Sequence, residues 1–512
     1  MNCKANGPLA MPKRILRVKS SHDPQAPFRI RLMNTKNTKM ERYVALSHCW
    51  GLERSLATES TTVDSWMRDI PWSRLPKTFQ HAIEITALLG FSYIWIDSLC
   101  ILQDSRPDWE EQSAHMAAIY EHAVVTLAAG SATGDTEGFL RPRPKLLNGT
   151  VMFQPENPNL SPKPVAFRQA LTHHFLPSID PLEKRAWAFQ ERLLSTRVLL
   201  FSLHELRWEC NTVEQCECRS SWDVSHTLFN DPHPYSRKHL SQETPRHKLH
   251  KFWYCDIIPR FTNASLTKES DKLPALSGVV QVLSKLLKDP YVAGIWNDGS
   301  MRGFLWNTAK RENCFVSRTY RAPSFSWASL DYMVSYNHLR SSFEEREDIT
   351  WLTEVVEIRC SLAGLDPFGQ VTDGYAIFDG PLVSAWLHFP PDINGLNVTF
   401  QPASSTAANE YISFQPDVTL AVSRLSPSFP WPLTVHRAEQ DPGRIEGSYC
   451  CYLMRLCTKG GGDYCLVLGA SLRKPGAFER LGFLARLSRL GIENDIIHKG
   501  FKGATKTRLT IV

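Results

Sequence analysis

Short apolar runs alternate with stretches of helical periodicity through the first two hundred residues. Residues 43–47 (YVALS), 93–97 (YIWID) and 124–128 (VVTLA) are too apolar for solvated edges and read as buried strands. Between the first two, 75–90 places Phe79, Ala82, Ile83 and Ala87 at helical spacing, with Pro76 near its start and Gly90 as its stop. A second helix starts near Asp108, read as its N-cap with Glu111 completing a capping box; Trp109, Met116, Ile119, Tyr120 and Ala123 share one face. Asp180, Pro181 and Glu183 suit the N-cap, N1 and N3 of a third helix over 180–195, followed by a strand pair at 198–202 (VLLFS) and 206–210 (LRWEC). Strand, helix, strand, helix, strand predicts an α/β fold with a parallel sheet flanked by helices.

Residues 140–179 are proline-rich and aperiodic and read as an inserted loop. Beyond 220 the pattern changes: 221–250 is rich in His, Pro and Ser, 273–288 reads as one helix, and from about 320 short β-like runs alternate with Pro, Gly and Ser. The expected organisation is an N-terminal extension (1–39), an α/β domain (40–220), a helical connecting region (221–335) and a mixed, β-rich C-terminal region with a basic tail (336–512), which could form a small sandwich.

Composition narrows the class. A chain of 512 residues with 43% hydrophobic and 21% charged positions is neither disordered nor fibrous. Its opening has no apolar signal core, and no stretch approaches the roughly 18 apolar residues of a membrane span, so the reading is an intracellular, cytoplasmic protein with no membrane span. Thirteen scattered cysteines fit a reducing compartment better than a disulfide scaffold. The net charge of +6 resides in 473–512, where nine Lys and Arg face three acids. A charge run is commonly a solvated face, and without clustered basic and aromatic residues it predicts no nucleic-acid partner.

The blocks YVALSHCWG (43–51), LPKTFQHAI (75–83), LGFSYIWIDSLCILQDS (89–105), DWEEQSAHMAAIYEHA (108–123) and RAWAFQERLLSTRVLLF (185–201), in that order, resemble the HET (heterokaryon incompatibility) domain. Fungal proteins with this domain trigger cell death when incompatible strains fuse. DKLPALSG (271–278), YVAGIW (291–296) and YRAPSFSWASLD (320–331) resemble the region trailing the domain in long members, with Phe325 where Trp is common. HET domains are regarded as distant relatives of TIR domains, flavodoxin-like modules that either self-assemble in signalling or cleave NAD. The resemblance therefore implies self/non-self recognition and a self-association or incompatibility partner. It also implies NAD as a possible substrate, with no cofactor. In NAD-cleaving TIR domains a Trp is followed four residues on by the catalytic Glu, a spacing matched here by Trp187 and Glu191.

Glu191 lies one helical turn beyond Trp187 on the inward face, where desolvation raises a carboxyl pKa toward the range useful for ribose binding or proton exchange. The alternative is an ion pair with Arg185, Arg192 or Arg197. Asp97 and Ser98 follow a strand's carboxyl end, where parallel α/β sheets form their ligand crevice; Asp97 either binds ribose hydroxyls or caps the next turn. His48, Trp50 and Gly51 emerge from the first strand, Trp50 either stacking on a ligand ring or packing. Arg185 and Gln190 flank the pair and could bind phosphate or amide groups, Arg185 equally bracing Glu191. Cys100 with His48 invites a thiolate reading that lacks an orienting third residue. Cys210, Cys216, Cys218 and His204 have no usual zinc spacing, so no metal is expected. No dinucleotide-binding glycine motif or P-loop is present.

Overall fold

A computed structural model describes residues 11–36, 38, 41–51, 56–144, 148–155, 161–168, 180–217, 240–308, 315–317, 319–343, 349–389, 398–402, 412–414, 416–424, 433–440, 445, 447–460, 462–485, 497 and 500–512. The chain divides into two compact units, Met1–Lys238 and His239–Val512.

In the first unit the strands are β1 (Arg14–Asp23), β2 (Ala26–Asn34), β3 (Val44–Ser47), β4 (Tyr93–Trp95), β5 (Val125–Ala128), β6 (Asn148–Phe153), β7 (Lys163–Arg168), β8 (Arg197–Phe201), β9 (Leu206–Cys210) and β10 (Glu214–Cys216). The helices are α1 (Val63–Arg68), α2 (Lys77–Leu88), α3 (Asp97–Cys100), α4 (Arg106–His122) and α5 (Ala186–Leu194). Eight strands form one sheet in the order β10-β9-β8-β5-β3-β4-β1-β2. β4, β3, β5 and β8 run parallel, while β1–β2 and β9–β10 add antiparallel strands on either side. From β3 the chain winds first to β4 and then back across to β5, so the winding reverses between β3 and β5. In open parallel sheets such a reversal is where connections leave on opposite faces and ligands bind beyond the carboxyl ends of the strands.

Every residue of β3 and β5 is buried, as the unbroken apolar runs require. Val44 and Leu46 are fully buried, each side chain contributing about 1.5–3 kcal/mol by its removal from water. α2 turns Phe79, Ala82, Ile83 and Thr86 inward and ends before Gly90, whose φ of 79° is the left-handed conformation that closes a helix.

Four local expectations are corrected. The segment 1–39 is no mere extension, because residues 14–34 supply two strands of the sheet. α4 is capped by Ser105, whose hydroxyl accepts from the Asp108 amide, one turn earlier than read. Asp108 instead anchors the loop before it, holding the Leu102 amide at 2.9 Å and the buried Arg14 guanidinium. The third helix is split: Pro181–Lys184 forms a 3-10 turn, Arg185 is extended (φ −89°, ψ 126°), and α5 begins at Ala186. Within 140–179, β6 and β7 pair as a hairpin, and 145–147, 156–160 and 169–179 lie outside the described residues.

The second unit combines helices with an antiparallel sheet. Arg246–Lys251, Phe252–Ile257 and Ile258–Thr262 form a continuous helical run with one wide turn, and Pro274–Leu287 gives the helix expected from the pattern. Trp253 packs edge-on against Trp296 and Trp327, at 5.9 and 6.5 Å between ring centres. Phe325 is fully buried edge-on to Phe304 at 5.8 Å.

The C-terminal region is β-rich, but its main sheet closes on itself instead of stacking as a sandwich. Strand Val371–Phe389 pairs through its first part with Lys506–Ile511 and through its last part with Gly447–Lys459. Gly447–Lys459 pairs with Gly462–Ala470, which pairs with Phe478–Ala485, whose Phe478 meets Ile511. Of the basic end, Lys506 and Arg508 lie in the closing strand, Arg480 is fully buried, donating to Asp417 at 2.7 Å and to the Phe304 carbonyl at 2.6 Å, and Arg486, Arg489 and Lys499 lie outside the described residues. Among the described residues no helix is long and apolar enough to cross a membrane.

Candidate active site

The carboxyl ends of β3 and β5 gather side chains from five segments. β3 ends at Ser47 and delivers His48, Trp50 and Gly51; β4 leads into α3 with Asp97 and Ser98; α4 contributes Tyr120, the loop after β5 contributes Asp135, and α5 contributes Glu191. Glu191 is 3% exposed, and the Ser47 hydroxyl donates to its Oε2. Burial pushes its carboxyl up to about 7 from an ordinary 4.5. Arg185 opposes the shift, Asp97 adds to it, and Ser47 and His48 oppose it. Tyr120, whose hydroxyl donates to the Leu46 carbonyl at 3.2 Å, is likewise raised well above its usual range, by burial first and then by the fields of Glu191 and Asp97.

Glu191 forms no ion pair among the described residues. Arg192, adjacent on α5, is engaged by Glu183 and by Glu209, the latter at 2.8 Å from Nε. Arg197 donates to the Val124 carbonyl at 3.2 Å. Arg185 donates to the His48 carbonyl, a placement that follows from the break between the 3-10 turn and α5. Its guanidinium lies 5.5 Å from the centre of the Trp50 ring, a cation–π contact. The Trp50 indole N–H donates to Asp97 Oδ2 at 2.9 Å, and Asp97 Oδ1 accepts from the Ser98 amide at 2.7 Å.

Asp97 is thus both a turn-capping group and a member of the cluster. The Ser98 hydroxyl is buried with no hydrogen-bond partner among the described residues. His48 Nδ1 lies 3.8 Å from Asp97 Oδ1 and Nε2 lies 3.1 Å from Asp135 Oδ1, with the ring edge-on to Phe79 at 5.1 Å. Gly51 adopts φ 82°, and the chain at Gly134 passes so near that a Cβ there would sit 3.0 Å from the Gly51 α-carbon.

The remaining candidates have other surroundings. Trp187 packs edge-on against Trp109 of α4 at 6.3 Å, and Gln190 is buried. Cys100 is fully buried and its thiol is pushed up to about 12 by burial, while Cys49 is pushed up to about 11, so neither supplies a thiolate near neutral pH. Cys210 Sγ lies 3.4 Å from the Thr212 hydroxyl, Cys216 is in a disulfide and Cys218 lies outside the described residues. No group of three or more metal-ligating side chains occurs among the described residues.

Ser47, Tyr120 and Asp135 were not singled out from the sequence. Ser47 had a readable signal, its place at the carboxyl end of a buried strand. Tyr120 was read only as part of a helix face, and Asp135 sits in the small-residue stretch AGSATGDTEG (129–138) without a pattern of its own.

Chemically, the cluster offers a buried carboxyl that changes charge near neutral pH, a serine hydroxyl bound to it, and an indole face that holds a planar cation. No curated protein and no solved structure matches the chain. A family model described as "Heterokaryon incompatibility protein (HET)" matches residues 43–191, from the residue before β3 to the carboxyl group at the centre of this cluster. The chain therefore carries a heterokaryon incompatibility (HET) domain over residues 43–191.

Proposed function

We propose that this HET domain acts in self/non-self recognition and cell death by cleaving the glycosidic bond between nicotinamide and ribose in NAD. The observation that carries the reading is Glu191, a buried carboxyl with its pKa near 7 at the point where the sheet's winding reverses. The parallel strands, numbered in chain order, lie 2-1-3-4, as in flavodoxin-like folds, which agrees with a TIR-like ancestry. In this reading the bond from C1′ to the pyridinium nitrogen breaks and its electron pair neutralises the ring. Water adds to C1′ and loses a proton, giving ADP-ribose, nicotinamide and H⁺. Glu191, ionised, binds the ribose and stabilises the oxocarbenium-like state.

Arg185 supports the choice of a pyridinium substrate, because its guanidinium is itself a planar cation on the face of Trp50. A nicotinamide ring taking that place keeps the cation–π contact, and its positive charge draws the proton from Glu191. Ser98, with its unpartnered hydroxyl, and Asp97 supply polar contacts for ribose, and Gly51 admits a backbone approach to phosphate.

A second reading, a non-enzymatic module that self-associates or binds an incompatibility partner, is favoured by one observation. The cavity beside Ser47 holds only about 20 Å³, room for a single water. Purified full-length protein and Glu191→Ala, incubated with millimolar NAD and assayed for nicotinamide by chromatography, separate the two. Release by the parent and none by the folded variant upholds NAD cleavage. No release from either, even with the protein artificially clustered, refutes it in favour of the module.

A further inference from the structure

A cavity within the second unit measures about 810 Å³, the size of a small-molecule site. Two buried guanidinium groups, Arg321 and Arg437, stand in its wall and converge on one residue. Arg437 donates from Nη2 to the Ser329 hydroxyl at 2.9 Å, and Arg321 donates from Nη2 to the Ser329 carbonyl at 3.2 Å. They are 7% and 5% exposed. Arg321 is paired with Asp331. Arg437 has no carboxylate in ion-pair contact among the described residues. The acids whose fields it feels most are engaged elsewhere: Glu479 accepts from Ser471 at 2.9 Å and Asp417 is paired with Arg480 at 2.7 Å. Burial accordingly pulls the Arg437 guanidinium down to about 10, which leaves it charged at neutral pH.

An isolated buried charge is costly, and folded proteins keep one where a partner supplies the opposite sign. Three donors along this wall lack acceptors: Arg437 Nε, Arg321 Nε and the Tyr320 hydroxyl are buried with no hydrogen-bond partner among the described residues. Arg473 and Lys474 line the cavity and are exposed, Arg473 lying 5.3 Å from the Tyr320 ring centre and 3.9 Å from Glu439, which with Asp373 and Glu479 also lines it.

We propose that this cavity binds a small molecule through a phosphate group seated against Arg437, Arg321 and Tyr320. A tetrahedral phosphate has three free oxygens for the three unused donors, where a carboxylate has two, and its second negative charge answers Arg473 and Lys474. The volume left beyond the phosphate accommodates an organic moiety, so the class is a phosphomonoester or nucleotide. The site belongs to the second unit and does not depend on the chemistry proposed for Glu191.

The test is calorimetric titration of the full chain with inorganic phosphate, against sodium chloride of matched ionic strength and against acetate. Saturable binding of phosphate alone is expected, weakened about 10- to 100-fold in Arg437→Gln, the loss set by one charge-assisted contact. The exposed double substitution Arg473→Ala/Lys474→Ala leaves the fold intact and is expected to weaken binding several-fold, so it decides the matter if Arg437→Gln does not fold. Absence of saturable phosphate binding, full affinity in both variants, or equal binding of acetate overturns the proposal.

Discussion

Replacing Glu191 by Gln should stabilise the first unit, and by an amount that depends on pH in a prescribed way. Gln retains an acceptor for the Ser47 hydroxyl and the shape of the side chain, but it cannot ionise. In the folded protein the carboxyl titrates near 7, against 4.5 ordinarily, so the folded state binds the proton more tightly than the unfolded chain does. The stability this gives is complete below about pH 4.5 and is lost as pH rises through about 7. Over that interval, at about 1.4 kcal/mol per pH unit, the loss amounts to about 3 kcal/mol. The variant should therefore match the parent near pH 4.5 and exceed it progressively, with the gap levelling off above pH 7. For a unit of this size that is a rise of about 6–12 °C in melting temperature at pH 8. Scanning calorimetry of the full chain between pH 4.5 and 8, following the endotherm that moves with the substitution, measures the gap. A difference independent of pH would refute the reasoning, because it would mean that Glu191 does not titrate in this window.

Two further outcomes follow from the same cluster. Asp97→Asn removes a negative charge that raises the Glu191 pKa and should lower its midpoint, read as an earlier levelling of the stability gap between Asp97→Asn and Asp97→Asn/Glu191→Gln in calorimetry. Arg192→Ala deprives the half-buried Glu183 of its guanidinium and leaves the buried Glu209 with Arg207 at 3.5 Å, and should cost about 3 kcal/mol in denaturant unfolding, while Arg192→Lys recovers only part of it because one ammonium cannot span both partners.

The parallel core was legible because its strands are apolar on both faces and its helices keep one apolar stripe; β3, α2, β4 and β5 each carry such a signal within a dozen residues. The β1–β2 hairpin carries a signal too, since buried Ile30 and Leu32 alternate with exposed Arg29 and Arg31 after a turn at Pro24 and Gln25. Its dense positive charge hides the alternation. The split of the third helix is harder to read, because Pro181 and Glu183 suit an α-helical start as well as the 3-10 turn they form. Sequence also placed Asp97, Trp50 and Glu191 at strand ends or an inward helix face, yet it did not reveal that Ser47, 144 residues away, donates to Glu191. That pairing depends on the crossing order of the sheet, a property of the whole unit. The Arg437 cavity was invisible for the same reason, its wall being drawn from segments more than a hundred residues apart.

The family match begins at residue 43 and ends at 191, whereas the sheet does not. Cutting the chain to those limits would strip β1 and β2 from β4 on one flank and β8, β9 and β10 from β5 on the other. Both β4 and β5 would then present unpaired N–H and C=O rows backed by apolar faces, the template on which chains join into aggregates. The Asp108 carboxylate would also lose Arg14, its buried partner. The flanking strands thus act as guards on the edges of the HET core, and Arg14–Cys216 is the shortest span that contains both sets.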